Sequence, residues 1–519
     1  MEVILAGIGA ALEPTNVALI VLGVSLGILV GAIPGMSAPM AIAIGVPLTY
    51  TMSPLSAIAF LIGVHKGGEY GGAITSILIN TPGEVSSALT ALDGHPIAKR
   101  GEPRKALSVS LYSSVAGDVF ADLVLIVSAA PLTVLALRMG PPEILGVLVF
   151  SFAFIASLLG RSVLKGVFAL AFGMLLATIG LDLETGGERL TFGLLELQDG
   201  LPLVAIAIGV LALGEVLVQL EEYFRGPPPQ TARPLGLSGG AKDRLSLAEL
   251  KGCARAILRG SVIGTAVGAL PGLGASVAAF LAYGAERRAS KTPEAFGTGK
   301  LEGVAAVESA NNAVIGASLI PLLTLGIPGS ATAALLVGAF LIHGITPGPF
   351  VFEENPEVVY GLFASLMLAN FANLVVGNVG LRFFALFLAI PRHAIVASTA
   401  LLCVTGAYVS AGSMFGVGVT LVFGVLGYFM RKLEFPFIVF LIGFILGPMF
   451  ERSLRHTVIL FDDPLALAVA HPLLPTLAAL GAIFAWRGMR TRRGVEGELS
   501  AASARIHAAA DPPARMPSE

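Results

Sequence analysis

Residues 23–35 read GVSLGILVGAIPG, and residues 260–272 read GSVIGTAVGALPG. Glycine falls on the same four places in both, Gly23, Gly27, Gly31 and Gly35 against Gly260, Gly264, Gly268 and Gly272, and Pro34 answers Pro271. Small residues at every fourth position let two helices approach closely inside a membrane. That does not explain why each run ends on Pro-Gly. Proline removes a backbone N–H and clashes with the preceding turn, while glycine permits the dihedrals of a reversal. A reversal at membrane depth is tolerated only where protein or a water-filled cavity surrounds it. The fold therefore turns on one broken, glycine-lined segment used twice.

The rest of the chain supports a membrane setting. Of its 519 residues, 55% are hydrophobic and only 13% charged, against about 25% charged in a soluble domain; the mean hydropathy is +0.85. Apolar runs at 141–159, 162–181, 201–220, 393–411, 414–430 and 465–486 approach or exceed the roughly 20 residues that cross a bilayer. These features predict an all-α polytopic membrane protein with about 10–14 membrane segments. A β-barrel would alternate with period two and give only weak hydropathy. The net charge of −2 carries no information about partners, because the charges sit in loops. Cys253 and Cys403 lie far apart and read as small packing residues. The start, MEVILAGIGAALEP, lacks the basic region of a cleavable signal peptide, so the first apolar run is expected to direct insertion.

Three polar or basic stretches divide the chain: 95–105, the long loop 221–259 with GPPPQTARP, and the end from Arg487, with 494–519 reading as a disordered tail. The positive-inside rule puts all three in the cytoplasm. The resulting layout is a first membrane half over 1–220, a cytoplasmic loop over 221–259, a second membrane half over 260–486 and a cytoplasmic tail over 487–519. Each half carries a second Pro-Gly break, Pro82-Gly83 in ITSILINTPGEVSSALTAL and Pro328-Gly329 in IPLLTLGIPGSATAALLVG. The order of broken segment, helix, broken segment thus occurs twice. The segment 260–270 looks too short to cross and is flanked by basic residues, as a re-entrant hairpin entering from the cytoplasm would be. The first copy has no Lys or Arg in 1–16 or 49–53. Two hairpins entering from opposite faces define an inverted repeat.

A helix broken near the midplane exposes N–H groups that suit an anion and carbonyls that suit Na⁺. Small polar residues gather at the four breaks: Ser37 beside Gly35; Asn80, Thr81, Ser86 and Ser87 around Pro82 and Gly83; Ser276 after Gly272 and Gly274; and Ser330 after Pro328 and Gly329. Just upstream of the last lies ESANNA, with Glu308, Asn311 and Asn312. Each Ser or Thr taken singly could simply cap a half-helix; together they describe one binding site enclosed by two facing broken elements. Lys66 and Glu69 at i, i+3 would pair if they face each other, and the alternative for Lys66 is a substrate contact. Asp118 and Asp122 at i, i+4 are candidates for a coupling proton, or for a subunit contact. Glu143 and Glu215 sit near span ends, where capping or solvated roles are the default. The sequence has no Walker A segment, no His-Glu-x-x-His and no Cys-x-x-Cys, so an enzyme or ATP-driven pump is not indicated and no cofactor is expected beyond Na⁺ or H⁺ as coupling ion.

The sequence resembles the large membrane subunit of the tripartite tricarboxylate transporter family (TctA-type) over roughly residues 15–490. The resemblance rests on 260–349, on YGGAITSILINTPG, on TALDGHPIAKRGEPRKALS and on GPMFERSLR. The family's motif residues fall on Gly31, Pro34, Gly35, Gly71, Gly72, Asn80, Thr81, Pro82, Gly83, Gly268, Pro271, Gly272, Glu308, Asn311, Asn312, Pro328 and Gly329. The resemblance implies a secondary transporter of the bacterial inner membrane that works with a small four-helix membrane subunit. A periplasmic solute-binding protein would deliver a carboxylate, and a moving, elevator-type domain would carry the hairpins. Departures from the family pattern cluster in the first half: Met36-Ser37-Ala38-Pro39, His65-Lys66 with Glu69, Glu84-Val85 and His95. A stand-alone carboxylate carrier, and a channel or scaffold subunit, are the competing readings.

Overall fold

The computed structural model describes residues 2–33, 36–82, 84–158, 162–182, 184–225, 243–271, 273–387, 392–461 and 463–486. Pro34, Gly35, Gly83 and Gly272 lie outside these, as do the tail and residues 226–242 of the 221–259 loop.

The first half runs α1 Glu2–Ala11, α2 Pro14–Gly31, α3 Ala38–Gly45, α4 Pro54–Ile79, α5 Ala88–Lys99 and α6 Pro103–Ala136. Next come α7 Pro141–Leu158, α8 Val163–Leu176, a short antiparallel hairpin (β1 Gly180–Leu181, β2 Glu188–Arg189), α9 Leu203–Ala207 and α10 Gly214–Arg225. The second half holds α11 Leu247–Gly268, α12 Gly274–Ala289, α13 Leu301–Leu325, α14 Ala331–Ile342, α15 Val351–Glu354 and α16 Pro356–Phe387. It closes with α17 Arg392–Ala411, α18 Met414–Lys432, α19 Phe437–Leu460, α20 Pro464–Ala470 and α21 Leu473–Trp486.

The protein is thus all-α and polytopic, with the short hairpin as the only strands among the described residues. Among the described residues, seven helices are long and apolar enough to cross a membrane, and the bent pair α20–α21 makes an eighth candidate. The sequence suggested about 10–14 segments. The difference lies in the broken elements. The apolar run 162–181 is helical only to Leu176 before it enters the hairpin, and the run 465–486 bends by 97° near Pro472. The second glycine-lined segment also differs from its expectation. Helix α11 starts at Leu247, inside the stretch read as loop, and its 22 residues extend about 33 Å at 1.5 Å per residue. It is therefore not a short re-entrant arm beginning at Gly260.

Glycine earns its place at the α2–α4 and α11–α13 crossings. A Cβ on Gly27 would lie 2.8 Å from the Gly68 amide nitrogen, and one on Gly63 or Gly71 would lie 2.6 Å from the carbonyl of Ile20 or Ile28. In the second half, a Cβ on Gly260 would lie 2.5 Å from the Ala306 carbonyl and one on Gly264 2.8 Å from Ala310 Cα. Backbone meets backbone at both crossings, as small-residue membrane packing allows.

The two halves interleave reciprocally. Helix α16 of the second half packs on α2 and α4 of the first, and α6 of the first packs on α11 and α13 of the second. Likewise α3 packs on α14, and α12 on α5. Outside this centre, α7 and α8 pack on α19, while α9, α10 and the turn between them pack on α18. That turn, Ile208–Leu213, is a π-helix, which widens the ladder and frees carbonyls. Arg431 takes two of them, donating to Val210 O at 2.6 Å and Leu211 O at 2.9 Å, and pairs with Glu215 at 3.1 Å.

Candidate functional site

The two breaks are built alike from different residues. Helix α4 is started by Ser53, whose side chain accepts the Ser56 N–H, with Pro54 at the first helical position. It ends at Asn80, which adopts a left-handed backbone (φ 52°), two residues before Pro82. Helix α13 ends at Gly326, also left-handed (φ 74°), two residues before Pro328. A left-handed residue stops a helix, and the following proline prevents its resumption.

Each break then packs on described residues of its own half. A Cβ on Gly329 would lie 2.8 Å from the Gly268 carbonyl and 2.9 Å from Ser318 Cα. Ser330 caps α14 by accepting the Ala333 N–H at 3.1 Å, and its hydroxyl reaches Ser318 at 3.3 Å. In the first half, the Glu84 carboxyl lies beside the backbone of Ala38 at the start of α3. Ser87 bonds Glu84 through both backbone groups, at 3.2 and 2.9 Å. Thr81 folds back on the end of α4, Ser86 is buried with an unpartnered hydroxyl, and Pro82 is exposed. Ser37 stands at the cap position of α3 without a side-chain cap bond. Gly274 starts α12 with φ 67°, and Ser276 is half-buried in its first turn. The nearest neighbours of Gly329 and Ser330 are thus second-half residues, not Asn80 or Ser86.

The halves meet through the middles of α4 and α13. The Glu69 carboxyl is faced by Glu84 and Asn311, with His65 Nε2 at 3.9 Å. Two carboxyl groups held this close repel each other when both are ionised. Glu308 accepts hydrogen bonds from Thr90 and from Ser114 (2.9 Å), and Asn312 donates to Ser114 at 2.9 Å and to the Glu308 carbonyl at 3.0 Å. One acid of α13 thereby ties α5 and α6 to the second half.

The expected Lys66–Glu69 pairing is not the one that forms. Lys66 turns instead to α6, with its Nζ 3.0 Å from Asp118 Oδ1 and 2.9 Å from Asp122 Oδ2. Asn370 of α16 donates to the same Asp122 oxygen at 2.7 Å. Lys66, Asp118 and Asp122 are completely buried. Residues three apart on a helix can pair, but Lys66 lies on the face of α4 that packs on α6, where two carboxylates meet its ammonium.

A second acid works at the edge of the site. Asp93 Oδ1 accepts the backbone N–H groups of Gly297, Gly299 and Lys300 at 2.9, 2.8 and 2.8 Å, and its Oδ2 accepts the Tyr283 hydroxyl at 3.0 Å. This fastens α5 to the entry of α13. The sequence reading passed over Asp93 and Asn370. Asn370, Asn373 and Asn378 recur within the largely apolar stretch 366–381 of α16, which is the available signal. Glu143 does cap, accepting the Gly140 N–H at 2.9 Å, and both cysteines are free and buried.

These features define a polytopic membrane protein with paired broken helices around a buried polar band. The profile of the tripartite tricarboxylate transporter TctA family matches residues 17–442, and the chain belongs to that family. It is 37% identical over 475 residues, 92% of this chain and 93% of the relative, to an uncharacterized 52.8 kDa protein in the TAR-I ttuC' 3'region of Agrobacterium vitis. It is also 37% identical over 220 residues to an uncharacterized protein in the TAR-II ttuC' 3'region of the same organism, 42% of this chain and 91% of that relative. No solved structure matches the chain.

Proposed function

We propose that this chain is the large membrane subunit of a tripartite importer of di- or tricarboxylates, driven by a Na⁺ or H⁺ gradient. Its partners are a small four-helix membrane subunit and a periplasmic solute-binding protein, and its place is the bacterial inner membrane. The reading rests on family membership and on one structural observation: two helices, α4 and α13, each stop at a left-handed residue followed by proline, and a shared band of buried polar groups joins them. Broken helices of this kind offer N–H groups to an anion and carbonyls to a cation. The reciprocal packing of the halves supports an inverted repeat, and the separate outer helices support a scaffold past which a central unit moves. In this reading the substrate and ion contacts are Ser37, Asn80, Thr81, Ser86, Ser87, Gly274, Ser276, Asn311, Asn312, Gly329 and Ser330.

The test is uptake of radiolabelled succinate, tartrate and citrate into proteoliposomes holding both membrane subunits, with the binding protein outside. Accumulation under an imposed Na⁺ or H⁺ gradient, dependent on the binding protein, is expected. Gly329→Val, which drives a branched side chain into the Gly268 carbonyl, and Asn80→Ala should each remove most of that uptake from assembled complex. Accumulation without the binding protein would favour a stand-alone carrier. Downhill flux alone would favour a channel.

A further inference from the structure

We propose that the cluster of Lys66, Asp118, Asp122 and Asn370 is the coupling-ion site, that its ligand is a single proton held on one of the two aspartates, and that Lys66 fills the place a metal cation would take. This deepens the transport reading above and rests on it.

The argument begins with charge. One ammonium and two carboxylates, all fully buried, leave an uncompensated negative charge if each is ionised, and burying one is costly. Asn370 supplies a hydrogen bond but no charge. The remaining neighbours do not balance the cluster. On α4, His65 is next in sequence to Lys66 and lies beside Glu69, and Tyr70 is neutral. On α13, Glu308 is engaged by Thr90 and Ser114, one turn from Asp118 along α6. The polar side chains Asn370 and Asn373 of α16 are amides.

Hydrogen bonding points to where the missing charge goes. Asp118 Oδ2 and Asp122 Oδ1 are buried and have no partner, whereas their sister oxygens hold the lysine. An unpartnered carboxylate oxygen in the interior is what a proton would satisfy. Space favours a proton over a metal ion. Asp122 Oδ1 lies directly against Gly316 of α13, where even a methyl group could not be accommodated without a shift. The point between the two carboxylates is already occupied by Lys66 Nζ. A proton adds no atom of appreciable size, converting –COO⁻ to –COOH at one oxygen.

Position gives the proton a role. The cluster links α4, which carries the first break, to α6 and α16, which belong to different halves of the chain. Adding or removing one proton changes the net charge of a fully buried joint between the halves, and so biases two arrangements of that joint.

The test is infrared difference spectroscopy of the purified protein in lipid nanodiscs at two pH values, in Na⁺-free buffer. No substrate is needed, so failure of the transport reading and failure of this one are separable. The wild type should show a protonated-carboxyl C=O band that shifts in D₂O. That band should vanish in both Asp118→Asn and Asp122→Asn, because each leaves a balanced lysine–aspartate pair, and should persist in Lys66→Met. Persistence of the same band in both asparagine variants overturns the proposal. In the reconstituted complex, the wild type should carry protons inward with whichever of succinate, tartrate or citrate it takes up, read by an internal pH dye without Na⁺. Asp118→Asn should lose more than about tenfold of gradient-driven accumulation, together with the inward proton movement. A strictly Na⁺-dependent wild type with no proton movement overturns the proposal even if the variants fail to assemble.

Discussion

Helices α4 and α13 occupy equivalent places in the two halves, yet they solve the same problem with different chemistry. Both are buried almost throughout. The first stops on Asn80, the second on Gly326. After the second break Ser330 caps the next helix. After the first, Ser87 makes no cap bond and closes a turn with Glu84 instead, whose carboxyl meets Glu69. The second-half break is neutral and closed; the first-half break is acidic, with an exposed proline and an unpartnered hydroxyl at Ser86. The comparison teaches that the repeat conserves geometry, a left-handed stop and a proline, while the polar work is divided unequally. The acidic residues Glu69 and Glu84 are fifteen positions apart in sequence and neighbours in the fold.

The largest effects should come where the halves are most alike. Gly27→Ala and Gly264→Ala each force a methyl group into the backbone of the crossing helix. Such overpacking costs about 1–3 kcal/mol and occasionally more, and here the obstacle is backbone that cannot rotate away. Both variants should melt well below the wild type, by similar amounts, in a thermal scan of purified protein. Gly418→Ala, with nothing near its added Cβ, should be neutral. A mild effect at Gly27, which packing of small residues without backbone contact would give, and a severe one at Gly264 would break the equivalence of the two crossings.

Asp93→Ala should come next. It strands three partly buried backbone N–H groups and a buried tyrosine hydroxyl at the junction of α5 and α13, which should cost toward the lower end of about 1–3 kcal/mol because water can reach some of the N–H groups. Because Asp93 joins the halves and belongs to neither break, hydrogen exchange should quicken in both 88–99 and 297–304. Quickening on one side alone would mean that the halves do not share this joint.

Glu84→Gln sharpens the contrast between the breaks. The amide carries no charge, so it can stay beside Glu69 at a pH where two carboxylates would repel each other. Uptake should keep its amplitude to within about 1 kcal/mol of transition-state energy, and its decline on the alkaline side should flatten. Ser330→Ala, at the neutral break, should lower activity without changing the pH profile. An unchanged profile for Glu84→Gln would remove the acid pair from the working site.

Much of this was legible in the sequence. The Gly-x-x-x-Gly runs and Pro-Gly pairs announced close crossings and breaks because backbone geometry is local and only a few residue types permit it. What was not legible was partner choice. Lys66 has Glu69 within one turn, yet it pairs across to Asp118 and Asp122, because the face of α4 that meets α6 is set by tertiary packing. Asp93 reads as an ordinary helical aspartate until the loop 297–300 folds over it. The start of helix α11, LAELKGCARA, looks like loop in the sequence; a cap and an ion pair support its helicity, with Cys253 and Ala256 as its buried positions.

That cap gives the smallest predicted effect and the clearest difference between the glycine-lined helices. Helix α2 begins at Glu13 with no side-chain cap bond. Helix α11 begins with a full capping box: Ser246 accepts the Glu249 N–H, and Glu249 accepts the Ser246 N–H at 2.8 Å. Glu249 also pairs with Lys105 of α6 at 3.0 Å. The Ser246 N–H and hydroxyl, with Lys105, hold the Glu249 carboxyl down at about 2 from an ordinary 4.5. A depressed carboxylate pKa contributes stability that is fully present above the unfolded value and is lost as pH falls through the folded one. The start of α11 should therefore hold from neutral pH down to about 4.5 and loosen progressively toward about 2. Ser246→Ala should weaken it by about 1 kcal/mol at neutral pH, and Glu249→Gln should remove the acid dependence. Hydrogen exchange measured over 247–252 reads both, with 14–19 at the start of α2 as the internal comparison. Acid-dependent quickening at 247–252 in the wild type, absent from Glu249→Gln, would assign the first turns of α11 to this cap. Equal quickening at both helix starts would instead place the acid sensitivity in the membrane core that they share.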